Sequence, residues 1–144
     1  MSIKIVKFDN EVHEEIKSGI DILTRAVQTT MGPRGKTVLI ERENQHPLVT
    51  KDGVTVAKHI NLKNKFQNLG VQVVKEAAQR SAEEAGDGTT TATVLAHAIF
   101  ERGMQMIAAG QDAVLLRRSI EKATKDVLRI LKDSASDIKG DKEL

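Results

Sequence analysis

Asp87 stands between two glycines and ahead of three threonines, in the stretch AGDGTTTATVLAHAI at residues 85–99. Threonine is a mediocre helix former, because its branched Cβ loses rotamer freedom against the preceding turn. A run of three at the opening of an apolar helix therefore needs another reason. Two readings fit the spacing. In one, Asp87 is an N-cap whose carboxylate accepts free amide hydrogens of the first helical turn. In the other, the flanking glycines let the backbone approach a ligand, the orphan amides face a phosphate, and the hydroxyls of Thr89, Thr90 and Thr91 add donors. Asp87 would then hold a Mg²⁺ that bridges phosphate oxygens, since hard cations prefer carboxylate and keep much of their water.

Two more loops offer chemistry. TMGPRGKT at residues 30–37 ends Gly-Lys-Thr like a Walker A loop, but two residues rather than four separate Gly32 from Gly35. It also follows a helical pattern and precedes a strand, the reverse of the P-loop context. Taken alone it reads as a helix-stop turn built on Gly32 and Pro33. TKDG at residues 50–53 puts a cation, Lys51, beside a carboxylate, Asp52, or forms an ordinary turn. His13, His46, His59 and His97 show no pair at metal-ligand spacing and read as surface or packing residues. Arg118, Lys122, Lys125, Arg129 and Lys132 recur at helical spacing, but Glu121, Asp126 and Asp133 interrupt them, as on a solvated or subunit-contacting face.

The elements that must position these loops are mostly helical. Val12, Ile16, Ile20, Leu23 and Val27 recur at spacings of four and three, which predicts an amphipathic helix from Asp9 or Asn10 to Thr30. KTVLI and HPLVT follow as a two-stranded ribbon across the polar turn 41–46. Gly53 reads as a tight turn with a short helix after it. Longer helices are predicted from about Asn64 to Ala85 with Phe66, Leu69, Val73 and Ala77 on one face, from Gly88 to Gly110 with Val94, Leu95, Ala98 and Met106 inward, and from Asp112 to Asp133. IKIVKF at residues 3–8 alternates apolar and basic residues like an edge strand that invites pairing. SASDIKGDKEL at the end reads as a linker or hinge cut short.

With 144 residues, the chain has the length of one domain that buries about 68–70% of its unfolded surface. Aromatics are only 2% of it (Phe8, Phe66 and Phe100) against 40% hydrophobic residues, so the core must be aliphatic and alanine-rich, as closely packed helices allow. The same scarcity of rings, with a net charge of only +2, argues against a nucleic-acid platform. No cysteine is present, so no disulfide or thiolate metal site can form. No apolar run approaches a membrane span, and the early charges of MSIKIVKFDNEV do not fit a secretory leader, so a soluble, cytoplasmic protein is expected.

The three loops occur in one order between these elements, and at this point the chain closely resembles the N-terminal part of the group I chaperonins, the GroEL type. KFDNEV, GIDILTRAVQTTMGPRGKTVLI, TKDGVTVAKHI, NLGVQVVKEAAQRSAEEAGDGTTTATVLAHAI and RRSIEKA carry the likeness. The resemblance implies a mainly α, multihelical equatorial-domain segment with a small β-ribbon and an N-terminal edge strand that pairs with a neighbouring subunit. Residues 1–133 would be the first portion of the ATP-binding equatorial domain, and 134–144 the hinge and start of an intermediate domain. Thr30, Met31, Gly32 and Pro33 would line ATP, with Lys51 near the phosphates and Gly88, Thr89, Thr90 and Thr91 wrapping them. Asp87 would be the Mg²⁺ ligand; Thr30, Lys51 and Thr90 would hold K⁺; Asp52 would be the carboxylate near the γ-phosphate implicated in hydrolysis.

Met31 stands where the family often has Leu, a swap of similar volume. Asp112-Ala113 stands where Asn-Pro is usual, which drops the preset proline but keeps a good cap. The small-Pro pattern common before the hinge is missing around Ser134 to Asp137. Family chains are several times longer, and the rest of the pocket, the water-activating carboxylate and the substrate-gripping apical domain belong to segments outside these residues. The resemblance thus implies an ATPase chaperonin that encloses non-native proteins in one or two seven-membered rings of identical subunits with a co-chaperonin, while this chain alone would not hydrolyse ATP. The alternative from another class is a truncated, non-hydrolysing module that docks on chaperonin subunits.

Overall fold

The computed structural model describes residues 10–42 and 44–136. Among them, five helices and one two-stranded sheet follow the order α1 (Asn10–Gln28), β1 (Val38–Ile40), β2 (Leu48–Thr50), α2 (Gly53–His59), α3 (Lys65–Ala85), α4 (Thr89–Ala108) and α5 (Ala113–Ser134). This is the mainly helical architecture with a small ribbon that the pattern predicts. The predicted edge strand at 3–8 and most of the predicted hinge lie outside the described residues. No described helix is long and apolar enough to cross a membrane.

The chain forms two compact units, one through Glu101 and one from Arg102. The first is organised on the crossing of α1 and α3. Gly19 and Gly70 sit where the two backbones touch: a Cβ on Gly19 would collide with the Gln67 carbonyl, and one on Gly70 with the Ile16 carbonyl. Around this crossing Ile20, Leu23 and Val27 of α1, Val56 and Ala57 of α2, and Val71 and Val74 of α3 form the core. β1 and β2 pair antiparallel with Leu39 opposite Val49, and Val38 and Ile40 turn onto the core.

The burial of α3 differs from the expected face. Gly70, Val71, Val74 and Ala78 are buried, while Leu69 and Val73 are 53% and 64% exposed. The reason is Gly70: the helix approaches α1 along the side that lets the backbones meet, and the bulkier row is rotated outward. In α4, likewise, Thr89 and Thr93 are buried while Leu95, Ile99 and Met106 are exposed. Thr93 tolerates this because its Oγ1 donates to the Thr89 carbonyl at 2.9 Å, so no hydroxyl proton is stranded.

α4 is tied to α1 by side chains. His97 Nε2 lies 2.7 Å from Asp21 Oδ1, Lys17 Nζ donates to Asp21 Oδ2 at 3.3 Å, and Phe100 packs against the core. In the second unit, Gly110 at φ +90° ends the α4 segment, its N–H donating to the Ile107 carbonyl and that of Gln111 to Met106. Asp112 caps α5 through Leu115 N–H at 2.8 Å, so the cap survives without proline as expected. α5 buries no residue.

Candidate functional site

Three chain reversals present the predicted residues, all in the first unit. The loop after α1 is wound tightly on itself. Thr30 Oγ1 donates to the Val27 carbonyl at 2.7 Å, Lys36 N–H to Thr29 O at 2.7 Å, and Gly35 N–H to Gly32 O at 2.9 Å. Gly32 takes φ +75°, which an L side chain resists, and Gly35 packs directly on the Thr30 carbonyl. Met31, Gly32 and Pro33 are thereby displayed on an exposed rim.

At the second reversal Lys51 is exposed and Asp52 caps α2. The Asp52 carboxylate accepts from Val54 N–H at 3.1 Å, Thr55 N–H at 3.0 Å and Thr55 Oγ1 at 2.5 Å. The Thr55 hydroxyl first, then these amides and the nearby Lys58 charge, outweigh partial desolvation and hold the carboxyl below the usual carboxylate value. Asp52 is therefore an ionised acceptor at neutral pH and not a proton donor.

The third reversal joins α3 to α4 through Gly86 and Gly88, both in the left-handed region. Asp87 does not cap α4 in the ordinary way: its Oδ1 accepts from the adjacent Gly88 N–H at 2.6 Å, and Gly88 supplies the carbonyl that begins the helix, accepting from Ala92 N–H. Asp87 Oδ2 has no hydrogen-bond partner among the described residues, and the carboxylate is exposed. Thr89 is 4% exposed, its Oγ1 has no hydrogen-bond partner among the described residues, and the residue is part of the lining of a cavity of about 290 Å³ between α2 and α3. A buried hydroxyl without a partner costs about 1–3 kcal/mol, and among the described residues Thr24 Oγ1 stands in the same position. Thr90 is half-buried and Thr91 exposed.

The loops meet at Gly53. Thr30 Oγ1 lies 3.2 Å from the point a Cβ on Gly53 would occupy, Val27 Cγ1 lies 3.3 Å from it, and Thr90 Oγ1 is closer still. Thr30 and Thr90, sixty residues apart, thus face one spot beside Asp52. The structure does not gather the acidic and histidine side chains: no group of three that could hold a metal occurs among the described residues. A Mg²⁺ at Asp87 would therefore rely on one carboxylate plus phosphate and water, which suits that ion. Lys75 Nζ, partly buried and for that reason shifted down, donates to the Lys58 carbonyl at 3.2 Å and Asn61 Oδ1 at 3.4 Å at the end of α2. Nothing in the local pattern singles out that lysine, whose partners lie 17 and 14 residues away.

A profile of the TCP-1/cpn60 chaperonin family matches residues 23–144. Among solved structures, the chain is similar to the chaperonin gp146 from the bacteriophage EL 2 (Pseudomonas aeruginosa), crystallised in the presence of ATP-BeFx. That likeness has a TM-score of 0.74 at 31% identity and covers 90% of this chain and 22% of that one. It is also similar to a group III chaperonin in the open state, with a TM-score of 0.78 at 25% identity over 89% of this chain and 25% of that one. The chain thus spans about a quarter or less of the length of these chaperonins, and with its helical order and its match over most of its residues it belongs to the TCP-1/cpn60 chaperonin family.

Proposed function

We propose that the protein carrying this chain is a cytoplasmic, ATP-driven chaperonin of the group I type, which encloses non-native proteins in a ring of identical subunits. In this reading residues 1–133 are the first part of its equatorial domain and 134–144 lead through the hinge. The observation that carries it is the meeting of Thr30, Gly53 and Thr90, since these come from the three loops whose motifs resemble that family. Thr30, Met31, Gly32 and Pro33 would line ATP, with Lys51 toward its phosphates. The free amides of the first turn of α4 and the hydroxyls of Thr89, Thr90 and Thr91 would receive phosphate oxygens, which would satisfy the orphaned Thr89 Oγ1.

Asp87 would hold Mg²⁺ through the oxygen that Gly88 leaves open. When bound, Mg²⁺ neutralises charge on the phosphates and orients them. Thr30, Lys51 and Thr90 would hold K⁺ in large part through backbone oxygens, with the Thr30 and Thr90 hydroxyls converging nearby. Asp52, kept ionised by its cap bonds, would accept a hydrogen bond near the transferring phosphate. The remaining pocket walls, the co-chaperonin contact and the grip on substrate would come from the rest of the protein, in one or two seven-membered rings. A second reading is favoured by α5, which buries nothing: a non-hydrolysing module that docks on chaperonin subunits.

Calorimetric titration of the assembled protein with Mg-ATP tests the first reading. Asp87→Ala should weaken binding by about tenfold or more, the scale of losing one charge-assisted ligand. Equal binding by the variant would remove Asp87 from the site. Native mass spectrometry separates the two readings: a subunit several times heavier than 15.8 kDa in a large ring supports the chaperonin, whereas a 15.8 kDa species on foreign rings supports the module.

A further inference from the structure

Gly53 is buried, begins α2, and does not have the positive φ that would demand glycine. Its backbone accepts any L residue, and at a helical position alanine is intrinsically favoured over glycine. The space around it does not accept one. A Cβ there would overlap Thr90 Oγ1 and press on Thr30 Oγ1 at 3.2 Å and Val27 Cγ1 at 3.3 Å.

These three neighbours differ in what they can do. Val27 is fully buried in the core and has nowhere to go. Thr30 Oγ1 is tethered by its 2.7 Å bond to the Val27 carbonyl, and moving it breaks that bond. Thr90 lies in the first turn of α4, and threonine in a helix has two accessible χ1 wells. Of the three, Thr90 is the neighbour held neither by a core position nor by a side-chain hydrogen bond among the described residues, so a methyl group at position 53 displaces the Thr90 hydroxyl from the junction. We infer that Gly53 is a positioning residue whose missing side chain keeps the Thr90 hydroxyl turned toward Thr30 and Asp52, so that the loops after α1, β2 and α3 present one set of donors. The inference rests on the nucleotide reading of these loops only for its consequence, not for its geometry.

The test is a double-mutant cycle on the full-length assembly with parent, Gly53→Ala, Thr90→Ala and the double variant. Two readouts are taken: the Kd for Mg-ATP by calorimetry and the thermal midpoint without nucleotide. Gly53→Ala should weaken Mg-ATP about tenfold and lower the midpoint, and Thr90→Ala should weaken binding at least as much. The double variant should bind no worse than Thr90→Ala and melt above Gly53→Ala, because the new Cβ then fills room the hydroxyl has left. Losses that multiply in the double variant, or a Gly53→Ala protein that binds and melts like the parent, would overturn the inference. A parent that binds no Mg-ATP would instead sink the nucleotide reading, and the melting cycle would still decide whether Gly53 acts through Thr90.

Discussion

α1 and α5 are the same kind of helix by pattern and opposite kinds by environment. They are 19 and 22 residues long, each with an apolar row at spacings of three and four and charges on the other side. α1 buries Ile20, Leu23 and Val27 to 2% exposure or less, whereas Val127, Ile130 and Leu131 of α5 remain 53%, 58% and 60% exposed. The difference lies in the partner. α1 meets α3 backbone to backbone, with Gly19 against the Gln67 carbonyl and Gly70 against the Ile16 carbonyl, whereas no residue of α5 is buried. Amphipathicity states that a helix has a face to hide; it does not supply what hides it.

The harshest way to break this contrast is to wedge the crossing apart. Gly19→Leu places a branched side chain against the Gln67 backbone, which cannot swing away as a side chain does. Overpacking costs about 1–3 kcal/mol where neighbours can adjust, and more here, so cooperative unfolding in urea should be lost. Gly103→Leu, near only Leu116 at 3.9 Å, should unfold like the parent. Next in size, Leu23→Ala should cost about 2–5 kcal/mol in urea unfolding, whereas Ile130→Ala should stay within about 0.5 kcal/mol. A core-sized loss at Ile130 would mean that α5 has found a cover, and repeating the pair in the assembled protein would show when it does.

The helix caps sharpen the comparison on a smaller scale. Asp52→Ala and Asp112→Ala each remove an N-cap carboxylate and should cost about 1 kcal/mol of local stability. Hydrogen exchange should register the first across α2 and the core beneath it, but the second only within α5. Smallest is the effect of acid on the α1–α4 tie. Burial pushes the Asp21 carboxyl up, the hydrogen bonds from His97 and Lys17 pull it down further, and it ends below the ordinary 3.8. A depressed folded value means the stabilisation is present above the unfolded pKa and fades as pH falls through the folded one. The parent's melting temperature should therefore drop more steeply than that of Asp21→Asn below about pH 4, and parallel curves would dismiss the tie.

Much of this molecule is written in short range. Gly32 with Pro33, Gly86 and Gly110 end helices where expected, Asn64 and Asp112 begin them, and the ribbon lies on either side of its polar turn, because caps and turns depend on dihedrals and hydrogen bonds within a few residues. The loops that carry Thr30, Asp52 and Asp87 are legible for the same reason. Their junction was not. Gly53 reads as a turn residue, and only the fold shows that it is small to admit the hydroxyls of Thr30 and Thr90. Leu69 and Val73 look like the core row of α3, but Gly70 turns Val71 and Val74 inward, since the favoured face is the one that lets two backbones touch. His97 and Asp21, 76 residues apart, carry no mark of each other along the chain. Local chemistry is determined by neighbours in sequence; which surfaces meet is a property of pairs of elements, and it was decided only when α1, α2, α3 and α4 came together.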